Sequence, residues 1–129
     1  MPSSYKIDKE NRLVISTGSG VLTLPDALAH QEQLLKDPDF DPSFSQLLDF
    51  THVTDVELSS EEIHRLARTT VFSANSRRAF LVNSDLKFGL ARMFAIMRES
   101  FGEKGIRVFR NSDDALDWVL GRSREQPKN

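Results

Sequence analysis

Cysteine is absent from the 129 residues, so no disulfide, thiolate zinc site or iron–sulfur cluster is open to this chain. No apolar run approaches the roughly eighteen residues of a membrane-spanning helix. The opening Met1-Pro2-Ser3-Ser4 is polar where a secretory signal would be apolar. An excess of either charge is missing too. Seventeen Lys and Arg face nineteen Asp and Glu, a net charge of −2, which supplies no global basic field for nucleic acid or an anionic membrane. Together these absences point to a reducing compartment and a bacterial-type cytoplasmic protein. What is present, 39% hydrophobic and 28% charged residues, suits a folded globular chain of one-domain length.

The segments alternate in type. Tyr5 and Ile7 alternate with polar residues, Lys9-Glu10-Asn11 reads as a turn, and Leu13-Val14-Ile15 begins a second strand. Gly18-Ser19-Gly20 marks a bulge before Val21-Leu22. Thr23 with Asp26, and Pro25 between them, starts a helix whose apolar face carries Leu24, Ala27, Leu28, Gln31, Leu34 and Leu35. After Asp37-Pro38 and Asp41-Pro42, Ser45–Phe50 reads as a strand and Thr51–Glu57 as a polar connection. Ser59 with Glu62 forms a capping box for a second helix with Ile63, Leu66, Ala67, Thr70 and Val71 on one face. Arg78–Val82 is a strand covered on both faces. Ser84 opens a third helix whose Leu86, Leu90, Met93, Phe94, Met97 and Phe101 share a stripe. Ile106–Phe109 is a last strand, Ser112 caps a last helix, and Gly121 ends it.

The order β-β-α-β-α-β-α-β-α predicts an α/β fold: a single domain with a mixed, mostly parallel sheet of about five strands and four helices. The domain is expected over residues 1–121 and a flexible tail over 122–129. Charge is segregated along it. Leu24–Ile63 carries ten acidic residues and one basic, and His64–Arg110 ten basic and three acidic. Either the molecule has opposite poles that steer a charged partner, or the topology interleaves the segments and cancels them.

Most catalytic patterns fail on spacing. Asp37, Asp39 and Asp41 begin like a calcium loop, but Pro42 and Leu48 stand where that loop needs glycine and glutamate. His30, His52 and His64 have no ligand spacing, so no metal and no cofactor is expected. His30 and His64 read as partly exposed helix residues. No G-x-S-x-G surrounds any serine, and Gly18-Ser19-Gly20 lacks the lysine of a phosphate loop. The arginines at 77, 78, 92, 98, 107 and 110 lack interleaved stacking aromatics, so nucleic acid is not expected either.

Several stretches carry a family resemblance. They are Asp39-Phe40-Asp41-Pro42-Ser43-Phe44 leading into Leu47-Leu48-Asp49-Phe50, then Leu58-Ser59-Ser60-Glu61-Glu62-Ile63, and Arg78-Ala79-Phe80-Leu81-Val82 before Phe88-Gly89-Leu90-Ala91-Arg92-Met93. Val108-Phe109-Arg110 followed by Asp114-Ala115-Leu116-Asp117-Trp118-Val119 completes them. From about Tyr5 to Leu120 the chain resembles the small bacterial SpoIIAA-like proteins of the STAS (anti-sigma-factor antagonist) superfamily. The resemblance implies a non-enzymatic module that binds protein partners, in some members switched by serine phosphorylation in an Asp-Ser-Ser-Gly pattern. Here Glu57-Leu58-Ser59-Ser60 stands against that pattern and departs from it at the first serine and the glycine. The fold is similar also to lipid-carrying CRAL-TRIO domains.

Three functions follow as expectations. The first is a cytoplasmic protein-interaction or regulatory module, its partner another protein or its own copy in a homodimer, with a surface of Asp49, Thr51, His52, Ser59, Ser60, Asn83 and Ser84. Helix N-termini there would offer free N–H groups. The second is a carrier of a small apolar or lipid-like ligand, in a pocket under the third helix lined by Phe88, Met93, Phe94 and Met97. The third is a hydrolase using His52.

Overall fold

A computed structural model describes residues 3–122. Of the expected tail only Arg122 falls among them, and its backbone N–H donates to the Asp117 carbonyl at 2.7 Å. The strands β1 (Ser3–Asp8) and β2 (Leu13–Thr23) form the expected antiparallel hairpin. After α1 (Leu24–Lys36), β3 (Ser45–Glu57) pairs parallel with β2. After α2 (Ser60–Ala67), β4 (Arg78–Leu81) pairs with β3, and after α3 (Asp85–Glu99), β5 (Ile106–Phe109) pairs with β4. The closing helix is α4 (Ser112–Val119). The sheet order β1-β2-β3-β4-β5 is the mixed, mostly parallel α/β sheet with four helices that the alternation predicted.

Strand alternation sends successive side chains to opposite faces, and the two faces are covered differently. Leu13 and Ala79 pack with Ala115 and Val119 of α4 on one face. On the other, Phe80, Val82 and Ile106 meet Ala91 and Ala95 of α3, while Val14 meets Leu34 of α1. β4, interior and roofed on both sides, is buried along its whole length, as its apolar run predicts. Trp118 is half-buried beside Phe109, with the Arg77 guanidinium 5.4 Å from its ring centre.

Caps set the helix starts. Thr23 accepts from the Asp26 N–H and Ser84 from the Lys87 N–H. Ser59 and Glu62 form the reciprocal box: the Glu62 N–H donates to Ser59 Oγ at 3.1 Å and the Ser59 N–H to Glu62 Oε1 at 3.0 Å. Ser59→Ala removes one of these bonds and should lower unfolding stability by about 1 kcal/mol, measured by urea titration, against no change for Ser60→Ala. α4 departs from expectation. Its cap is Asn111, whose Oδ1 accepts from the Asp114 N–H at 2.9 Å, and Ser112 is the first helical residue.

Two larger corrections matter for the site. β3 does not end at Phe50. Thr51–Glu57, expected as a polar connection, continues the strand and pairs with Ser19–Thr23 across register shifts in β2. The segment looks polar because only Val53 and Val56 turn inward on this two-stranded arm, and its β-branched residues suit an extended backbone. α3 is also turned relative to its expected stripe. Ala91, Ala95 and Arg98 are buried, whereas Leu86 is 64% and Phe101 49% exposed. Small residues let the helix axis approach the sheet closely, and Arg98 enters because a carboxylate waits for it. Leu35 of α1, expected inward, is exposed as well, and α2 ends at Ala67, short of the expected Thr70 and Val71.

Candidate functional site

A cavity of about 150 Å³ lies between the sheet and helices α1, α2 and α3. Its walls are largely apolar. Leu48, Phe50 and Phe80 rise from the sheet, Val53 and Val56 from the β3 arm, Ile63 and Leu66 hang from α2, and Leu90 and Phe94 from α3. Phe80 is the hinge of an aromatic row, stacked on Phe94 at 5.6 Å between centroids and edge-on to Phe50 at 5.7 Å.

Where β2, β3 and β4 cross the cavity floor, the side chains become polar. Ser16, Gln46 and Arg78 border the cavity and are buried, and His30 of α1 borders it from above. They form a continuous chain. Arg78 Nε donates to Gln46 Oε1 at 3.1 Å, and Gln46 Nε2 donates to Ser16 Oγ at 3.0 Å. Ser16 Oγ lies 2.9 Å from His30 Nε2. Away from the cavity, Arg78 Nη1 reaches Glu103 Oε1 at 3.3 Å, and Arg98 Nε donates to the same oxygen at 2.7 Å. Arg98 Nη1 then donates to the Ala67 carbonyl at the end of α2.

Donor chemistry orients this chain. Arginine only donates, so the oxygen of the Gln46 amide must face it and the nitrogen must face Ser16. Ser16 Oγ thus accepts from Gln46, and its own proton is left for His30 Nε2, the one other side-chain atom it meets among the described residues. A neutral imidazole accepting at Nε2 carries its proton on Nδ1. Burial, and secondarily the nearby Arg78 charge, push the His30 pKa down, which keeps the ring neutral. Nδ1 is buried with no hydrogen-bond partner. Burial also pulls the Arg78 pKa down, while the Glu103 carboxylate opposes that shift. Three rings, Phe72, Phe80 and Phe94, lie within 5.0 to 5.7 Å of the Arg78 guanidinium carbon and add cation–π stabilisation.

The residues expected to form a binding surface do not all meet. Asp49, Thr51, Asn83 and Ser84 gather where β4 ends and β3 continues without it. Asp49 Oδ1 accepts from the Thr51 N–H and hydroxyl, Asn83 Nδ2 donates to the Thr51 carbonyl at 3.1 Å, and Lys87 Nζ donates to the Phe50 carbonyl at 3.0 Å. These bonds satisfy carbonyls of β3 that β4 is too short to reach. His52, exposed, pairs with Ser19 on the arm, and Ser59 and Ser60 follow the arm's end. Seven further strand residues span about 23 Å, which carries the α2 start away from Asn83. Of the four expected pocket residues, Phe94 lines the cavity. Phe88 and Met93 stand about 110° to either side of the lining face of α3, and Met97 about 70° from it. Phe88 instead packs on the Val82 cluster under the Arg110 guanidinium.

His30, Ser16, Gln46 and Arg78 were missed. A signal existed for two of them: His30 is spaced i+3 from Ala27 and i−4 from Leu34 on the inward face, and Arg78 opens an apolar run. Among the described residues no cluster of His, Asp and Glu could hold a metal ion, and no helix is long and apolar enough to cross a membrane.

No family model matches the sequence, and no curated protein matches it. In structure the chain is similar to an uncharacterized protein of the DUF3478 family with a SpoIIAA-like fold from Shewanella loihica PV-4. The two share 19% identity at a TM-score of 0.58, over 91% of this chain and 93% of that one. The chain therefore has a SpoIIAA-like fold, as the resemblance in its motifs implied.

Proposed function

We propose that this chain is a non-enzymatic binding module that holds a small, largely apolar ligand between its sheet and helices α1 to α3. The observation that carries the reading is the cavity itself. It is walled by aliphatic and aromatic side chains and bordered by a few convergent polar groups, the usual make-up of a small-molecule site. This is the carrier reading with its pocket moved from the outer stripe of α3 to the sheet side. The non-enzymatic part is supported by the engagement of the candidate groups: Ser59 is held in its capping box, and His52 stands exposed on the arm with its strand neighbours.

Regulation through a protein partner or a second copy is a further part of the proposal, supported by one observation. Ile96, 55% exposed, stands opposite the lining face of α3, and Leu86, 64% exposed, stands about 90° from that face. A module that senses a ligand under α3 and presents the back of the same helix would couple the two.

Native mass spectrometry of the purified protein tests the ligand. The expected result is a discrete small-molecule adduct, lost on mild collisional activation and absent after refolding from denaturant. A preparation that carries no adduct, and whose amide spectrum is unmoved by saturating octan-1-ol and octanoate, would overturn the reading.

A further inference from the structure

The buried charges do not balance. Arg78 and Arg98 are 6% and 5% exposed and share a single carboxylate, Glu103, at 0%. An unpaired ion in a low-dielectric interior is expensive, and proteins retain one where it meets a counter-ion. The surplus positive charge borders the cavity at Arg78. Its Nε is engaged by Gln46 and its Nη1 by Glu103, while Nη2 donates to nothing among the described residues. His30 borders the same cavity, but its Nδ1 is buried, which leaves Arg78 Nη2 as the donor open to a ligand. Two further charged residues line the cavity, and each is already bonded. The Asp26 carboxylate accepts from the Thr23 hydroxyl, and Lys87 Nζ serves Phe50 and Asn83. They are of opposite sign, so the surplus stays with Arg78.

Resting on the proposed ligand-binding role, we propose that the ligand is a monoanionic amphiphile, a short- to medium-chain carboxylate. Its head lies on Arg78 Nη2, and its body lies among Leu48, Phe50, Phe80 and Phe94. One negative charge matches the one surplus positive charge, whereas a phosphate monoester would bring close to two. A cavity of about 150 Å³ takes a benzene-sized body, which sets the enclosed apolar part of the ligand at about six carbons.

Isothermal titration of the full chain with octanoate and octan-1-ol at pH 7.5 separates head from tail. The expected result is octanoate binding about tenfold or more tighter than the alcohol, the scale of a charge-assisted hydrogen bond. In Arg78→Met the two should bind alike, and in Lys87→Met the preference should survive. Arg78→Met leaves Arg98 and Glu103 as a matched pair. Should it still fail to fold, the wild-type comparison of acid and alcohol decides, with the Lys87→Met titration beside it. Equal binding of both probes to the wild type would overturn the anionic head and leave the apolar ligand standing. A preference lost in Lys87→Met but kept in Arg78→Met would overturn the assignment to Arg78. Binding of neither probe would overturn the ligand-binding role itself.

Discussion

Glu103→Ala should cost about 3–5 kcal/mol of unfolding free energy, the range seen when one partner of a buried ion pair is removed. In a chain of this length the melting temperature should fall by roughly 10–20 °C. The carboxylate is fully buried and accepts from both Arg78 and Arg98, so alanine leaves two guanidiniums enclosed by apolar side chains. Those arginines also tie α2, α3, β3 and β4 together through Ala67 and Gln46, so the loss should be global and cooperative. The exposed pair of Lys9 and Asp39, at 3.4 Å, is the control. Asp39→Ala should cost less than about 1 kcal/mol, because water already solvates both ends. Chemical denaturation of the two variants side by side makes the comparison. If Glu103→Ala loses no more than Asp39→Ala, the arginines are reached by water and the cluster is not sealed.

That cluster is also what sequence reasoning did not find, for a physical reason. Strand and helix periodicity reports which face of an element is apolar, and capping residues report where helices start. Both signals are local, and both held at several elements: the Ser59–Glu62 box, the Thr23 and Ser84 caps, and the buried run through Phe80 and Val82 lie where expected. The polar network joins residues that are far apart in the chain, with Gln46 to Arg78 and Ser16 to Gln46 separated by some thirty positions each. No local pattern records such a pairing. The network even worked against the pattern on α3. A stripe of Leu86, Leu90, Met93, Phe94, Met97 and Phe101 reads as the inward face, and Ala91, Ala95 and Arg98 do not, because an arginine counts as polar until its buried carboxylate is known. The length of β3 was hidden similarly. A two-stranded arm with one inward face needs only Val53 and Val56, and the residues around them read as a loop.

The candidate site was legible in part for the same reason. Phe94 and the idea of an apolar pocket beside α3 came from composition, but the pocket's position came from the helix rotation. The charge asymmetry along the chain pointed to steering between poles. In the fold its most consequential part is internal: two of the ten basic residues between His64 and Arg110 enter the core with one of the three acidic ones. A surplus charge bordering an apolar cavity is a chemical statement about what belongs there, which neither apolarity nor net charge alone supplies.

Phe80→Ala should likewise cost about 3–5 kcal/mol, the transfer energy of the ring plus the space it leaves. Phe80 is 4% exposed on an interior strand, stacks on Phe94, meets Phe50 edge-on and lies under the Arg78 guanidinium. Truncation therefore removes a ring from the core and one of three cation–π partners from Arg78. It also has a second consequence that an ordinary core position would not show. Because the ring borders the existing cavity, alanine merges its volume with that space, and the enlarged site should take up an apolar guest. Thermal melts with and without saturating benzene test both halves. The variant should melt well below the wild type and should recover several degrees more than the wild type does when benzene is added, since binding to the folded state alone raises stability. A loss well under 1 kcal/mol would place Phe80 at the periphery of the core. Equal recovery of both proteins would mean that the ring does not wall the cavity.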